Sequence, residues 1–368
     1  MLSNQRAAYD AMRERCPVAH SDFLGWSLFR HQDIVDVLDD PETFSSASRH
    51  RAIPNGIDPP EHTVYRRLLE PYFSSESIMR FEPALRKIAT EMTQALLDGN
   101  SDTVDLISEF AEPFPLRALC VFLGWRDDNW ERLRGWNHGN QQVALSSDRA
   151  AGKILAAEFT SYVEQELQAH RAAGQDQLHD ITTDLMTREV NGARLSDEDI
   201  VSILRNWTAG QGTVASGIGN VIHYLAQDGQ LQAQLRANPG LLPAAIDEIL
   251  RVDGPLVMNR RTATRDVQIG GRQIGTGERL TLIWIAANRD ERAFDDPESV
   301  RLDRDARNNL VFGMGIHDCV GAPLARLELR LAVEELLGRT SQIELAEDDP
   351  PRAVYPSNGF RSLMVRLR

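Results

Sequence analysis

The sequence predicts a mainly α fold with a small β-rich region. Three observations carry this. Apolar residues recur at helical spacing through most of the chain, period-two β signals are confined to a few short stretches, and no repeat, low-complexity tract or long linker interrupts the pattern. With 368 residues and no such break, one continuous domain over 1–368 is expected, large enough to bury an extensive core.

The elements follow in order. Segments 34–38, 61–73, 78–97 and 104–122 read as amphipathic helices, as do 150–171, 197–226, 231–237, 241–251 and 322–337. The β signals cluster at 26–29 and between Arg261 and Trp284. In the second block Val267-Gln268-Ile269-Gly270-Gly271 reads as a strand entering a hairpin turn, and 279–284 as a strand with apolar alternation. Segment 360–367 is a candidate last strand.

Composition excludes several classes. A formal net charge of −14 argues against a general nucleic-acid binder. No apolar run reaches the roughly 18 residues of a membrane span, and Met1-Leu2-Ser3-Asn4-Gln5 begins no export signal, so a cytoplasmic location with no membrane partner is expected. Three cysteines cannot build a disulfide framework in so long a chain, and an unpaired functional thiolate suits a reducing compartment.

The most informative segment is Phe312-Gly313-Met314-Gly315-Ile316-His317-Asp318-Cys319-Val320-Gly321, which runs into Ala322-Pro323-Leu324-Ala325-Arg326. Its glycines permit tight turns and close approach to a flat partner. A cysteine where a helix begins has amide N–H groups and the helix dipole to stabilise negative sulfur. The competing readings are a small buried hydrophobe, a zinc ligand or part of a phosphate loop. Zinc wants about four ligands in recognisable spacings, and Cys16, Cys120 and His223 are isolated. A phosphate loop would need a Gly-Lys-Ser/Thr ending or a dinucleotide fingerprint. An axial thiolate to haem iron accounts for the segment better.

The pattern Phe-Gly-x-Gly-x-His-x-Cys-x-Gly-x-x-Leu-Ala-Arg resembles the haem-binding signature of the cytochrome P-450 family. It matches at Phe312, Gly313, Gly315, His317, Cys319, Gly321, Leu324, Ala325 and Arg326. The resemblance runs from Asp58 to Arg330 and implies the cytochrome P-450 fold, with haem b (iron protoporphyrin IX) as cofactor and Cys319 as the metal ligand. The implied cofactor-binding set is His62, Arg66, Ala209, Arg261, Phe312, Gly313, His317, Cys319, Gly321 and Ala325. His62 and Arg66 are four apart on one helical face, a spacing suited to one propionate. Glu248 and Arg251 resemble the family's Glu-x-x-Arg, which is either a surface pair worth ~0.3 kcal/mol or a buried pair giving the haem site structural support. Ser299 falls where the family often adds an arginine, and Arg304 is the candidate substitute.

Trp207-Thr208-Ala209-Gly210-Gln211-Gly212-Thr213 lies inside the longest helix, where each glycine costs up to about 1 kcal/mol relative to alanine and so calls for a reason. It resembles the family's oxygen-activating segment. The implied catalytic group is Thr213, Gly210, Gln211 and Gly212, with Thr213 orienting water. Gly212 stands where the family has Asp or Glu, and the amide of Gln211 cannot titrate. Proton delivery is therefore expected through ordered water, the substrate or a carboxylate elsewhere. Motif registration assigns Trp207, Leu256, Val257, Met258, Asn259 and Phe360 to the substrate pocket, and the short front loop at 44–58 implies a more open entrance.

The resemblance implies a haem-thiolate monooxygenase of bacterial type, similar to the class with thiocarbamate-degrading and reductase-fused members. It would use O2 and two electrons from a separate ferredoxin and ferredoxin reductase to hydroxylate or O-/N-dealkylate a small, mainly apolar organic substrate. Arg326 and Arg330 are candidates for the partner's dock. The rival readings are a peroxide-driven oxygenase of the same fold and a non-catalytic haem sensor or electron carrier.

Overall fold

The structure is a computed structural model that describes residues 5–48, 50–99, 101–146, 148–173, 180–353 and 357–368, so Met1 to Asn4, read above for an export signal, lie outside it. Its organising element is the long helix Asp197–Gln227. Ser196 caps it, accepting a hydrogen bond from Asp199 N, and Asp197, Glu198 and Asp199 complement the positive end of the dipole. Ile200, Leu204, Ile218, Ile222 and Leu225 bury one face in the main core, against Pro113–Leu123, Leu242–Val252 and Ala322–Arg339. Gly217 lets the last of these approach closely, since a Cβ there would lie 3.2 Å from Leu329.

Among the described residues no helix is long and apolar enough to cross a membrane.

The β structure is peripheral. A five-stranded sheet has the order Val18–Ser21, Gly25–Leu28, Arg279–Ile283, Met258–Ala263, Phe44–Ser45, with Gly25–Leu28 and Arg279–Ile283 parallel. Ile343–Leu345, Met364–Leu367 and Val104–Asp105 form a second sheet. The expected hairpin pairs Val267–Ile269 with Arg272–Ile274, turning through Gly270 and Gly271 at φ +54° and +77°, a conformation that favours glycine.

One expectation needs correction. Segment 104–122 is not one helix. Val104–Asp105 pairs with Met364–Leu367, and a wider π-type turn at Ile107–Ala111 follows before the helix Pro113–Leu123 begins. Glu112 N reaches back five residues to Ile107 O at 2.9 Å, and Pro113, which has no N–H to continue the ladder, opens the next helix. The front loop is tied to the long helix. Ile53 is wholly buried, its N–H donates to Ser202 Oγ at 2.9 Å, and Arg51 Nε donates to Asp199 Oδ1 at 2.8 Å.

The helices Gln5–Arg15 and Trp130–Ser146 carried no clear sequence signal. The second interleaves glycines and amides with its apolar residues, which dilutes the periodicity, and it proves to pack over Gly212.

Candidate active site

Cys319 is positioned by its own loop. Gly313 and Gly315 take φ values of +73° and +74°, and a Cβ on Gly315 would approach Leu38 O to 2.8 Å, so the turn needs glycine there. Cys319 N donates to Phe312 O at 2.8 Å, and Ala325 N donates to Gly321 O at 3.0 Å as the helix Ala322–Arg339 starts. Arg326 lays its guanidinium over the Phe312 ring at 4.3 Å. Cys319 borders a recess of about 210 Å³ lined also by Asp247, Asn309, Phe312 and Arg326. Burial pushes the Cys319 thiol up, opposed by a backbone hydrogen bond from Gly321 and the charge of Arg66.

The loop is braced from behind. Arg251 is wholly buried and pairs with Glu248, while its Nη1 donates to Asn288 O at 2.7 Å and Pro297 O at 2.8 Å. Arg304 Nε donates to Glu248 Oε2 at 3.0 Å, and Ser299 contributes a carbonyl that accepts from Arg251. Burial pushes Glu248 up, but Arg251, the Arg301 N–H and Arg304 outweigh it and hold the carboxyl below its usual range. Asn288 carries the brace onward, since its Oδ1 accepts from Leu310 N at 2.8 Å and Leu310 O accepts from Gly313 N at 3.0 Å.

The basic residues from distant segments converge. The rings of His62 and His317 lie 4.2 Å apart, and all four of their nitrogens are buried with no protein partner. Arg66 Nη1 donates to Asp318 O at 2.5 Å and its Nη2 to Asp318 Oδ1 at 2.6 Å, joining the helix Glu61–Leu69 to the cysteine loop. Burial lowers Arg261, whose charge, with that of His62, acts on His317; burial first and those charges second bring His317 down to about 3. Burial, then Arg66, likewise lowers His62. Buried cations and unpartnered ring nitrogens are costly unless anions or acceptors meet them, and two propionates supply both.

The residues therefore fit a haem. Metal coordination would also reverse the upward pull on the Cys319 thiol, because a coordinated thiol is deprotonated outright.

On the long helix, Asn206, Ala209, Gly210 and Thr213 fall within a stripe about 100° wide, at 100° per residue. Gly210 is exposed although it sits mid-helix, and a Cβ there would meet nothing within 4 Å, so this face borders open space. Gly212 turns toward the helix Trp130–Ser146, where a Cβ would lie 3.8 Å from Gln141 Nε2 and 3.9 Å from Asn137 Nδ2. Asn137 Nδ2 donates to Thr208 O at 3.3 Å. Neither amide was singled out from the sequence.

Several candidates are packed against protein side chains. Gln211 is two residues from Thr213, about 200° round the helix, and is buried with Oε1 unpartnered on the opposite face. Trp207 packs edge-on against Phe73 at 5.1 Å and Phe122 at 5.7 Å, inside the core. Phe360 stacks on His223 at 4.5 Å beneath the Arg352 guanidinium at 4.1 Å. Val257 and Met258 are buried with Phe29 and Ile283, whereas Leu256 bridges Ser357 and is half-buried, and Asn259 is exposed. Large apolar side chains are drawn into cores whichever segment carries them.

One acid went unnoticed. Glu328 is wholly buried with both carboxyl oxygens unpartnered, and burial raises it well above the usual range. Its spacing of four from Leu324 and from Ala332 placed it on the core stripe and was the available signal. Among the described residues no three His, Cys, Asp or Glu side chains gather as a metal site.

Fold and site together define a haem-thiolate protein. The cytochrome P450 family model matches residues 142–364. The chain is 32% identical to cyclomarin C epoxidase CymV of Salinispora arenicola (strain CNS-205), over 97% of this chain and 94% of that one. It is 31% identical to the erythromycin C-12 hydroxylase of Saccharopolyspora erythraea, over 92% of this chain and 87% of that one. A solved structure of a mutant of P450 EryK in complex with erythromycin B superposes with a TM-score of 0.90 at 28% identity, covering 99% of this chain and 97% of the other. The chain belongs to the cytochrome P450 family of monooxygenases, oxidoreductases that carry a cysteine-ligated haem.

Proposed function

We propose that Cys319 would hold the haem iron through its thiolate and that this enzyme hydroxylates or O-/N-dealkylates a mainly apolar organic substrate, with electrons from a separate ferredoxin and ferredoxin reductase. The observation that carries the assignment is the convergence of Cys319 with the sealed, unpartnered ring nitrogens of His62 and His317 and the half-buried cation Arg261. Bound at this cysteine, the haem supplies dioxygen activation, and a thiolate ligand favours O–O cleavage.

The chain's own residues do the rest. His62, His317, Arg66 and Arg261 would hold the propionates. The brace of Glu248, Arg251 and Arg304 holds the cysteine loop in register. Thr213 orients water at the face of the long helix that borders open space, and Gly210 keeps that face unobstructed. Protons reach Thr213 past Gly212, where the amides of Asn137 and Gln141 organise water but cannot titrate. The relatives named as an epoxidase and a hydroxylase support oxygen insertion as the reaction type.

The dock for an electron donor does not rest on free charge at Arg330. That residue pairs with Glu82 at 2.8 Å and with Glu334 at 3.0 Å, and Arg326 pairs with Asp247 at 3.3 Å. A peroxide-driven reading draws on Gly212 and its titration-free surroundings.

Reduced, haem-loaded protein under carbon monoxide is expected to show a thiolate-type Soret band, lost in Cys319→Ala. A reduced band of neutral-ligand type in freshly prepared wild-type protein would overturn the assignment. Turnover with hydrogen peroxide as fast as with a reductase system would favour the peroxide-driven reading.

A further inference from the structure

We propose that the side-chain carbonyl of Asn206 is a specificity-determining acceptor, recognising a hydroxyl or N–H group on the substrate about two helical turns from the carbon that is oxidised. This deepens the oxygenase reading above and rests on it.

The amide is held in one orientation. Asn206 Nδ2 donates to Ile53 O at 2.9 Å and to Ser202 O at 3.1 Å. Both partners are backbone carbonyls, so only the NH2 end can face them, and the two bonds use both of its hydrogens. The carbonyl end is left with two lone pairs that accept nothing from the described residues. Asn206 is half-buried, and its Oδ1 is not among the sealed polar atoms, so a ligand can reach it.

Placement makes this acceptor useful. Asn206 precedes Thr213 by seven residues, which turns it only about 20° away on the helix surface and sets it about 10 Å along the axis. Gly210, exposed and unobstructed, lies between them on the same face. Beside Asn206 the front loop contributes the buried Ile53, whose carbonyl holds the amide, so the free carbonyl is a polar anchor next to an apolar side chain.

An acceptor fixed in this way selects by sign. A substrate hydroxyl or N–H completes a hydrogen bond, whereas an ether, ester or ketone oxygen brings lone pair against lone pair and leaves Oδ1 desolvated. The favoured class is therefore an elongated apolar molecule with a donor group roughly 10 Å from its site of oxidation.

The test uses ferric, haem-loaded full-length enzyme titrated with decan-1-ol and with decyl methyl ether, following the spin-state shift. The alcohol is expected to bind about tenfold tighter, the size of one net hydrogen bond. Asn206→Leu should weaken the alcohol to the level of the ether, leaving the ether's affinity and the carbon monoxide band unchanged. Ser202→Ala removes the side-chain bond to Ile53 N but keeps Asn206 and the Ser202 carbonyl, and should retain the preference. The proposal is overturned if wild type shows no preference or binds neither probe, if the preference survives Asn206→Leu, or if Ser202→Ala abolishes it. A missing thiolate band would overturn the oxygenase reading and this inference together, whereas a normal band without the preference overturns this inference alone.

Discussion

Arg304 donates to Glu248 Oε2 at 3.0 Å, so a carboxylate already paired with Arg251 is closed from its other side by a residue 56 positions later in the chain. Glu248 is 6% exposed and Arg251 fully buried, so both ions depend on these partners rather than on water. The brace continues through Asn288 to the turn that carries Cys319.

Arg304→Ala is expected to destabilise the fold by about 1–3 kcal/mol, because Glu248 loses a partner while keeping Arg251. Arg251→Ala should cost about 3–5 kcal/mol, since it leaves a buried carboxylate far less compensated. Urea midpoints measure both, and an Arg304→Ala midpoint equal to wild type would show that Arg304 does not complete the brace.

Arg261→Leu separates cofactor binding from folding. Burial lowers Arg261, a cation short of an anion, so its removal should leave the apoprotein as stable as before or more so. Haem transfer to apomyoglobin should run about ten- to a hundredfold faster, matching one lost charge-assisted hydrogen bond. A parallel fall in apoprotein stability would instead assign Arg261 a structural role.

Thr213→Ala should lower product formed per electron by roughly tenfold and raise released peroxide, a smaller loss than that of a whole general acid–base group because water persists. Gly212→Asp should shift both quantities the other way. Its Cβ makes only ordinary contacts with Asn137 and Gln141, whose amides can donate to the new carboxylate. Unchanged coupling in both variants would place proton delivery elsewhere.

Glu328 makes stability depend on pH. Its folded pKa is raised by burial, so the folded protein holds a proton that the unfolded chain releases above about pH 4.3. The stability this proton confers is complete below that pH and falls as pH rises toward the folded pKa, by up to about 1.4 kcal/mol per pH unit. Glu328→Gln lacks this dependence, so its advantage over wild type should grow as pH rises above the ordinary carboxylate range toward the raised folded pKa. Parallel stability curves for the two proteins would refute the assignment.

Local pattern made much of this protein legible. The hairpin at Gly270-Gly271, the long helix and the cysteine turn each depend on residues close in sequence, where periodicity and backbone preference act directly. The break at Pro113 was readable in principle but was overridden by the apolar run around it. The surroundings of Trp207 and Phe360 were not legible, because an apolar side chain carries no label for core or cavity, and only the neighbours that surround it decide. The amides over Gly212 lay on a helix whose period was too diluted to see.

By itself the sequence determined which chemistry the chain carries: a thiolate at a glycine turn, cations spaced for propionates, and a threonine beside paired glycines. Those are properties of residue type and short spacing, which survive without a fold. Only the tertiary structure decided that Arg304 closes on Glu248, that the front loop is tied to the long helix, and that Asn206 turns its carbonyl free. Each of those is a contact between segments far apart in the chain, set by packing that no local pattern encodes.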